Sequence, residues 1–105
     1  MISRIWHGYT ARENSDAYET LLNTEIFTGI RDKKIKGFKE IQLFRRETEI
    51  GSEFITIMWF DSIESVKEFA GEDFEAAVVP HKARALLSRF DERSQHYNVI
   101  TELKA

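Results

Sequence analysis

The stretch Glu53-Phe54-Ile55-Thr56-Ile57-Met58-Trp59-Phe60 sets the architecture of the whole chain. Side chains alternate along a β-strand, so Phe54, Thr56, Met58 and Phe60 share one face while Ile55, Ile57 and Trp59 share the other. Both faces are apolar. A sheet in a two-layer domain turns one face to water and there alternates apolar with polar residues. A strand with two apolar faces requires a layer on each side of it.

Working outward, Glu47 to Ser52 contains Gly51 and reads as a hairpin joining this strand to another from Phe38 to about Arg46. In that strand Ile41 and Leu43 share one face, and Phe38, Glu40, Gln42 and Phe44 the other. Gly37 and the basic turn Arg31 to Lys36 precede it. Further back, Asn14-Ser15-Asp16 offers N-cap residues to a helix that carries Tyr18, Leu21, Leu22, Ile26 and Ile30 at helical spacing, with Gly29 loosening its end. Ile2 to Tyr9, rich in aromatic and β-branched residues, reads as a first strand. Downstream, Asp61-Ser62-Ile63-Glu64 reads as a capping box with Asp61 as the acceptor. The helix behind it stripes Ile63, Val66, Phe69 and Ala70 and stops at Gly71. A short helical stretch from Glu72 to Val78 is expected next, then a turn restarted by Pro80 at a first helical position. A last strand runs from about Gln95 to Leu103.

The order is β-α-β-β-α-β, an α+β, ferredoxin-like pattern: a four-stranded antiparallel sheet with helices on one face. Right-handed crossovers place both helices on the same face. The Ile55, Ile57 and Trp59 face then needs a cover. A second copy of the sheet supplies one, giving a homodimer with a cavity between the sheets. The alternative cover is the C-terminal strand or the extra helix folded back across that face.

Length and composition bound the function. At 105 residues, 1–105 is expected to form a single domain. Lys+Arg 15 against Asp+Glu 18 leaves a net charge of −3, which argues against a nucleic-acid partner because phosphate binding needs a concentrated basic face. With no cysteine, disulfides, thiolate metal sites and cysteine nucleophiles are excluded. The longest apolar run falls far short of the roughly 20 residues of a membrane span, and the N-terminal residues lack a signal-peptide layout. A cytoplasmic protein with no membrane partner is the expectation.

Several stretches carry a family likeness: Arg4-Ile5-Trp6-His7-Gly8, Gly37-Phe38, Arg45-Arg46, Trp59, the run Phe69-Ala70-Gly71-Glu72-Asp73-Phe74-Glu75-Ala76-Ala77-Val78-Val79-Pro80, Ala85 to Arg93, and His96-Tyr97. With these the chain resembles the antibiotic biosynthesis monooxygenase-like group of the dimeric α/β-barrel superfamily. The resemblance implies oxidation of an aromatic, polyketide-type molecule by dioxygen with no metal or flavin, hence no cofactor. A related branch degrades heme. Its axial histidine would fall on Val78, its cavity tryptophan near Glu68 and its strand-one asparagine near His7, so this chain departs from that pattern at all three. His81, about one helical turn beyond Val78, is the remaining candidate for an axial ligand.

Within this frame His7 and His96 are the candidate catalytic residues. A neutral imidazole, with a reference pKa near 6.5, suits deprotonation of a phenol or enol. The alternative is that both are hydrogen-bonded strand residues. The three histidines show no close ligand spacing, so no metal site is expected. Trp59 and Tyr97 are the candidates to shape a small-molecule pocket, with Arg84 as an anion contact. Trp6 has the opposite strand parity from His7, which assigns it to the helix-facing core or a sheet edge. A small-ligand-binding dimer without catalysis is the competing reading.

Overall fold

In the computed structural model, which describes residues 1–105, β3 (Gly51–Phe60) lies between β2 (Phe38–Thr48) and β1 (Ile2–Thr10), antiparallel to both. Two short strands occupy the far edge of β1. β4 (Arg89–Phe90) pairs with Gly8 and Tyr9, and β5 (Gln95–Asn98) pairs with Ile2 to Ile5. The sheet order is β2-β3-β1-β4, with β5 beside β4 on the same edge, so the fourth position of a ferredoxin-like sheet is one strand broken at residues 91–94. β5 ends at Asn98, short of the expected Leu103. Beyond it the Val99 N–H still donates to the Met1 carbonyl at 3.0 Å.

From β1 the chain enters a 3₁₀ turn (Arg12–Asn14) and then one continuous helical rod. The rod consists of α1 (Ser15–Leu21), a π-helical segment (Leu22–Ile26) and α2 (Phe27–Asp32). Tyr18, Leu22, Ile26 and Ile30 recur every fourth residue and pack toward the sheet. That spacing overshoots an α-helical turn of 3.6 residues. The wider π turn reverses the drift and holds the four side chains in one row. Gly29 sits in open space and does not end the rod.

α3 (Ile63–Ala70) is capped by Ser62, whose hydroxyl accepts the Ser65 N–H at 3.3 Å. This corrects the capping box by one residue. Asp61 instead donates its backbone N–H to the Gly37 carbonyl at 2.8 Å and pairs with Lys39 at 3.3 Å. Gly71, at φ +91°, ends the helix in a conformation that L side chains rarely adopt.

The expected helix from Glu72 to Val78 does not form. Its backbone bonds sideways to the break in the edge strand: Ala77 N–H to the Glu92 carbonyl at 2.9 Å, and Ser94 N–H to the Glu75 carbonyl at 2.6 Å. Those cross-links satisfy groups that an isolated short helix would leave open at its ends. Pro80 is the N-cap of α4 (His81–Leu86), its carbonyl accepting the Arg84 N–H at 3.0 Å.

A register shift between Phe38 and Glu40 rotates Phe38 onto the helix-facing side, opposite the face expected for it. There it meets Phe60 with ring centroids 5.6 Å apart. The core between sheet and helices holds Tyr18, Leu22, Phe54 and Ala83 toward one end and Met58, Phe60 and Val66 toward the other. Tyr18 meets Phe54 edge-on at 4.8 Å.

The other sheet face carries Ile5, His7, Ile55, Ile57, Trp59 and Phe44. No segment folds over it. α4 packs on α1 through Ala83, and Ile100 and Leu103 are exposed, so neither proposed intrachain cover forms. No helix is long and apolar enough to cross a membrane.

Candidate functional site

A cavity of about 60 Å³ opens between the helix-facing side of the sheet and the helices. Arg4 and Trp6 from β1 and Thr56 and Met58 from β3 form its floor. Leu22 and Ile26 from the π-helical segment form its roof, Phe69 closes one side, and the irregular segment Val78 to Pro80 closes another. The lining is mostly apolar because β1 and β3 present the same alternate positions that build the core.

Arg4 is the exception on that face. It is 3% exposed. Its Nη1 donates to the Phe74 carbonyl and, at 3.1 Å, to Nε2 of His96, while Nη2 donates to the Ala76 carbonyl at 3.0 Å. The guanidinium also stands 5.5 Å from the centroid of the Phe69 ring. Burial pulls its pKa down to about 10, which still leaves it charged at neutral pH.

His96 faces the helices opposite Arg4 in the β1–β5 register. A guanidinium can only donate, so His96 Nε2 accepts and the ring proton resides on Nδ1. That Nδ1 is buried and has no partner. Burial first, then the positive charge of Arg4, lowers the pKa of His96 and keeps the ring neutral. Phe74 packs edge-on against it at 5.2 Å.

His7 lies on the opposite side of the sheet. Its Nδ1 is 3.2 Å from Oδ2 of Asp91, an arrangement that leaves Nε2 as the basic atom when Nδ1 donates. Asp91 is held from two directions: its N–H donates to the His7 carbonyl at 3.0 Å, and the Trp6 indole N–H donates to its carbonyl at 2.7 Å. The β1–β4 register, continued one residue past Phe90, sets Asp91 directly opposite His7, so the two side chains share a face of the sheet.

The remaining candidates are scattered. Trp59 shares the open face with His7 but pairs with Ser3, four residues from His7 along β1 and so about 13 Å away. Its indole N–H donates to Gln42 Oε1 at 2.9 Å. Tyr97 is exposed on the edge strand. Arg84 lies on the exposed side of α4, stacked over Phe90 at 5.1 Å. His81 lines a shallow outer groove with Thr20, Glu25 and Lys82. The structure therefore brings none of the six candidates into the cavity. His96 touches its wall through Arg4.

Sequence reasoning singled out none of the cavity residues as functional, Arg4, Trp6 and Ser94 included. One signal was present: Arg4 shares strand parity with Ile2, Trp6 and Gly8, a charge placed at a core-facing position of an inner strand. The donor set does not suit heme. Val78 lines the cavity where the heme-degrading branch has its ligand, and His81 lies outside, so the cavity wall contains no histidine.

No family model matches the chain, and no curated protein matches it. Among solved structures it is similar to a crystal structure from Bacillus cereus provisionally described as an antibiotic biosynthesis monooxygenase. The similarity covers 100% of this chain and 96% of that one, with a TM-score of 0.68 and 15% identity. At that identity the likeness concerns backbone architecture, and site chemistry does not transfer with it. The chain has an antibiotic biosynthesis monooxygenase-like, ferredoxin-like α+β fold.

Proposed function

We propose that this chain binds a small aromatic molecule in the cavity between sheet and helices and oxidises it in the manner of a cofactor-independent monooxygenase. The observation that carries the reading is the cavity itself: an apolar recess with Trp6 and Phe69 in its wall and one buried cation, Arg4, at its floor. An activated methylene of the substrate loses a proton, and the resulting carbanion or enolate reduces dioxygen. One oxygen atom becomes the carbonyl that replaces the methylene and the other leaves as water, so the substrate supplies all the electrons. No metal or flavin is needed for that balance. A cation close to the ionised substrate favours this step by stabilising the developing negative charge.

Two copies pairing through the Ile5, Ile55, Ile57 and Trp59 face form the working unit in this reading, because that face is otherwise an uncovered apolar surface. His7, with Asp91 behind it, is the proposed base at that face, and His96 the proposed base beside the cavity.

One observation favours a second reading, a ligand-binding dimer without catalysis. The His7–Asp91 pair and the cavity lie on opposite faces of the sheet, and Nε2 of His96 is already taken by Arg4. Oxygen-electrode measurements with anthrone-type and polyphenolic substrates separate the two. Enzyme-dependent oxygen uptake, with one labelled atom from ¹⁸O₂ in the product, supports the oxygenase. Binding without uptake leaves the second reading standing.

A further inference from the structure

Arg4 indicates which charge the cavity ligand carries, an inference that rests on the cavity being the binding site. A guanidinium has five N–H donors and no acceptor. Three are used, on two backbone carbonyls and on His96, and the Nε–H and one Nη2–H remain. All three partners are neutral. Arg31, Arg45, Arg46 and Arg93 each face a carboxylate within ion-pair distance, and all are far more exposed; Arg4, at 3% exposure, has none. A buried charge left without a counter-charge is costly, which is why such groups are ordinarily paired. The cavity is the open space on which Arg4 borders, and its apolar walls strengthen any charge interaction made inside it.

We propose that the cavity is a site for a small planar oxyanion, an aromatic carboxylate or an ionised phenol, whose oxygen pairs with the free donors of Arg4. The two remaining N–H groups suffice for both oxygens of a carboxylate or for a single phenolate oxygen. The ring lies among Trp6, Met58 and Phe69, and Ser94 and Thr56 supply the remaining polar atoms of the wall. At about 60 Å³ the cavity is smaller than the roughly 150 Å³ that accommodates benzene in an engineered core. A ring therefore enters by displacing part of the wall. Val78 to Pro80, which belong to no helix or strand, yield at lower cost than the laddered floor.

The test is equilibrium binding, independent of turnover. The chain has two tryptophans, so Trp59→Phe leaves Trp6 as the reporter in the cavity. Benzoate and its neutral isostere benzamide are titrated against Trp6 fluorescence, and 4-nitrophenol, coloured only when ionised, is titrated by absorbance at mildly acidic pH. Benzoate is expected to bind about tenfold or more tighter than benzamide. Bound nitrophenol is expected to ionise at lower pH than the free molecule. A response from benzoate alone assigns the carboxylate class, and a response from nitrophenol alone the phenol class. Arg4→Met is expected to abolish the preference while retaining weak benzamide binding. Should that variant not fold, Arg4→Lys, which keeps the charge but loses the planar fork, is expected to reduce the preference several-fold. Equal affinity for benzoate and benzamide overturns the anion site and leaves the cavity reading intact. A preference unchanged in the folded Arg4 variants overturns it too, by placing the anion elsewhere. Binding of neither probe removes both.

Discussion

Arg4 Nη1 lies 3.1 Å from Nε2 of His96, a contact between two basic side chains that holds only while the imidazole is neutral. The two residues face each other across the β1–β5 ladder, one from an inner strand and one from the edge. Their pairing fixes the tautomer of His96 and joins the cavity floor to the edge strand.

The pH dependence of stability follows from that contact. His96 has its pKa lowered below the ordinary 6.5 by burial and by Arg4. In the unfolded chain the ring takes up a proton as pH falls through about 6.5, whereas the folded ring resists it. The contribution is therefore fully present above that pH and is lost as pH drops below it toward the folded pKa. His96→Gln, whose amide oxygen accepts the same Arg4 N–H without titrating, is expected to flatten the stability curve in that window. Urea melts at a series of pH values measure it. An identical slope in the variant would sink the assignment.

Removal of the Phe54 ring tests the core. Phe54 is 0% exposed and meets Tyr18 edge-on at 4.8 Å between α1 and β3. Phe54→Ala is expected to cost about 3–5 kcal/mol, as large-to-small core substitutions do. Chemical denaturation gives the value directly, and a loss under about 1 kcal/mol contradicts the packing described.

The cap of α3 separates two neighbours. Ser62→Ala removes the acceptor of the Ser65 N–H and is expected to cost about 1 kcal/mol. Asp61→Ala removes only a half-exposed ion pair with Lys39, worth about 0–1 kcal/mol. Thermal melts of the two variants should rank in that order; a larger loss at Asp61 would restore it as the cap.

The uncovered sheet face predicts association. Ile57 points out from the centre of β3 on the side away from the helices. Ile57→Lys is expected to convert a dimer into a folded monomer, read by sedimentation velocity alongside circular dichroism. A wild-type chain that sediments as a monomer at all concentrations defeats the dimer.

The element order and the face assignments of β1 and β3 were legible because side-chain alternation is a local property of extended backbone. The rod from Ser15 to Asp32 was legible in its apolar row, though not in its π-helical segment, which answers a mismatch between residue spacing and helical pitch. Phe38 moved to the other face through a bulge that depends on how β2 registers against β3. Glu72 to Val78 has helical composition, yet its backbone groups found partners in the edge-strand break, a choice made by long-range hydrogen bonds.

The site was less legible than the fold. His7 and His96 drew attention because imidazole chemistry is visible in any sequence, but strand parity alone could not say which face held a cavity. That depends on which side of the sheet the helices cover incompletely. The sequence by itself determined an α+β chain whose central strand has two apolar faces, since those follow from residue type and period. Tertiary structure alone decided that the recess opens on the helix-facing side, with Arg4 buried at its floor and no carboxylate beside it. The reason is physical: cavities and unpaired charges are properties of how separate segments meet, and no single segment contains them.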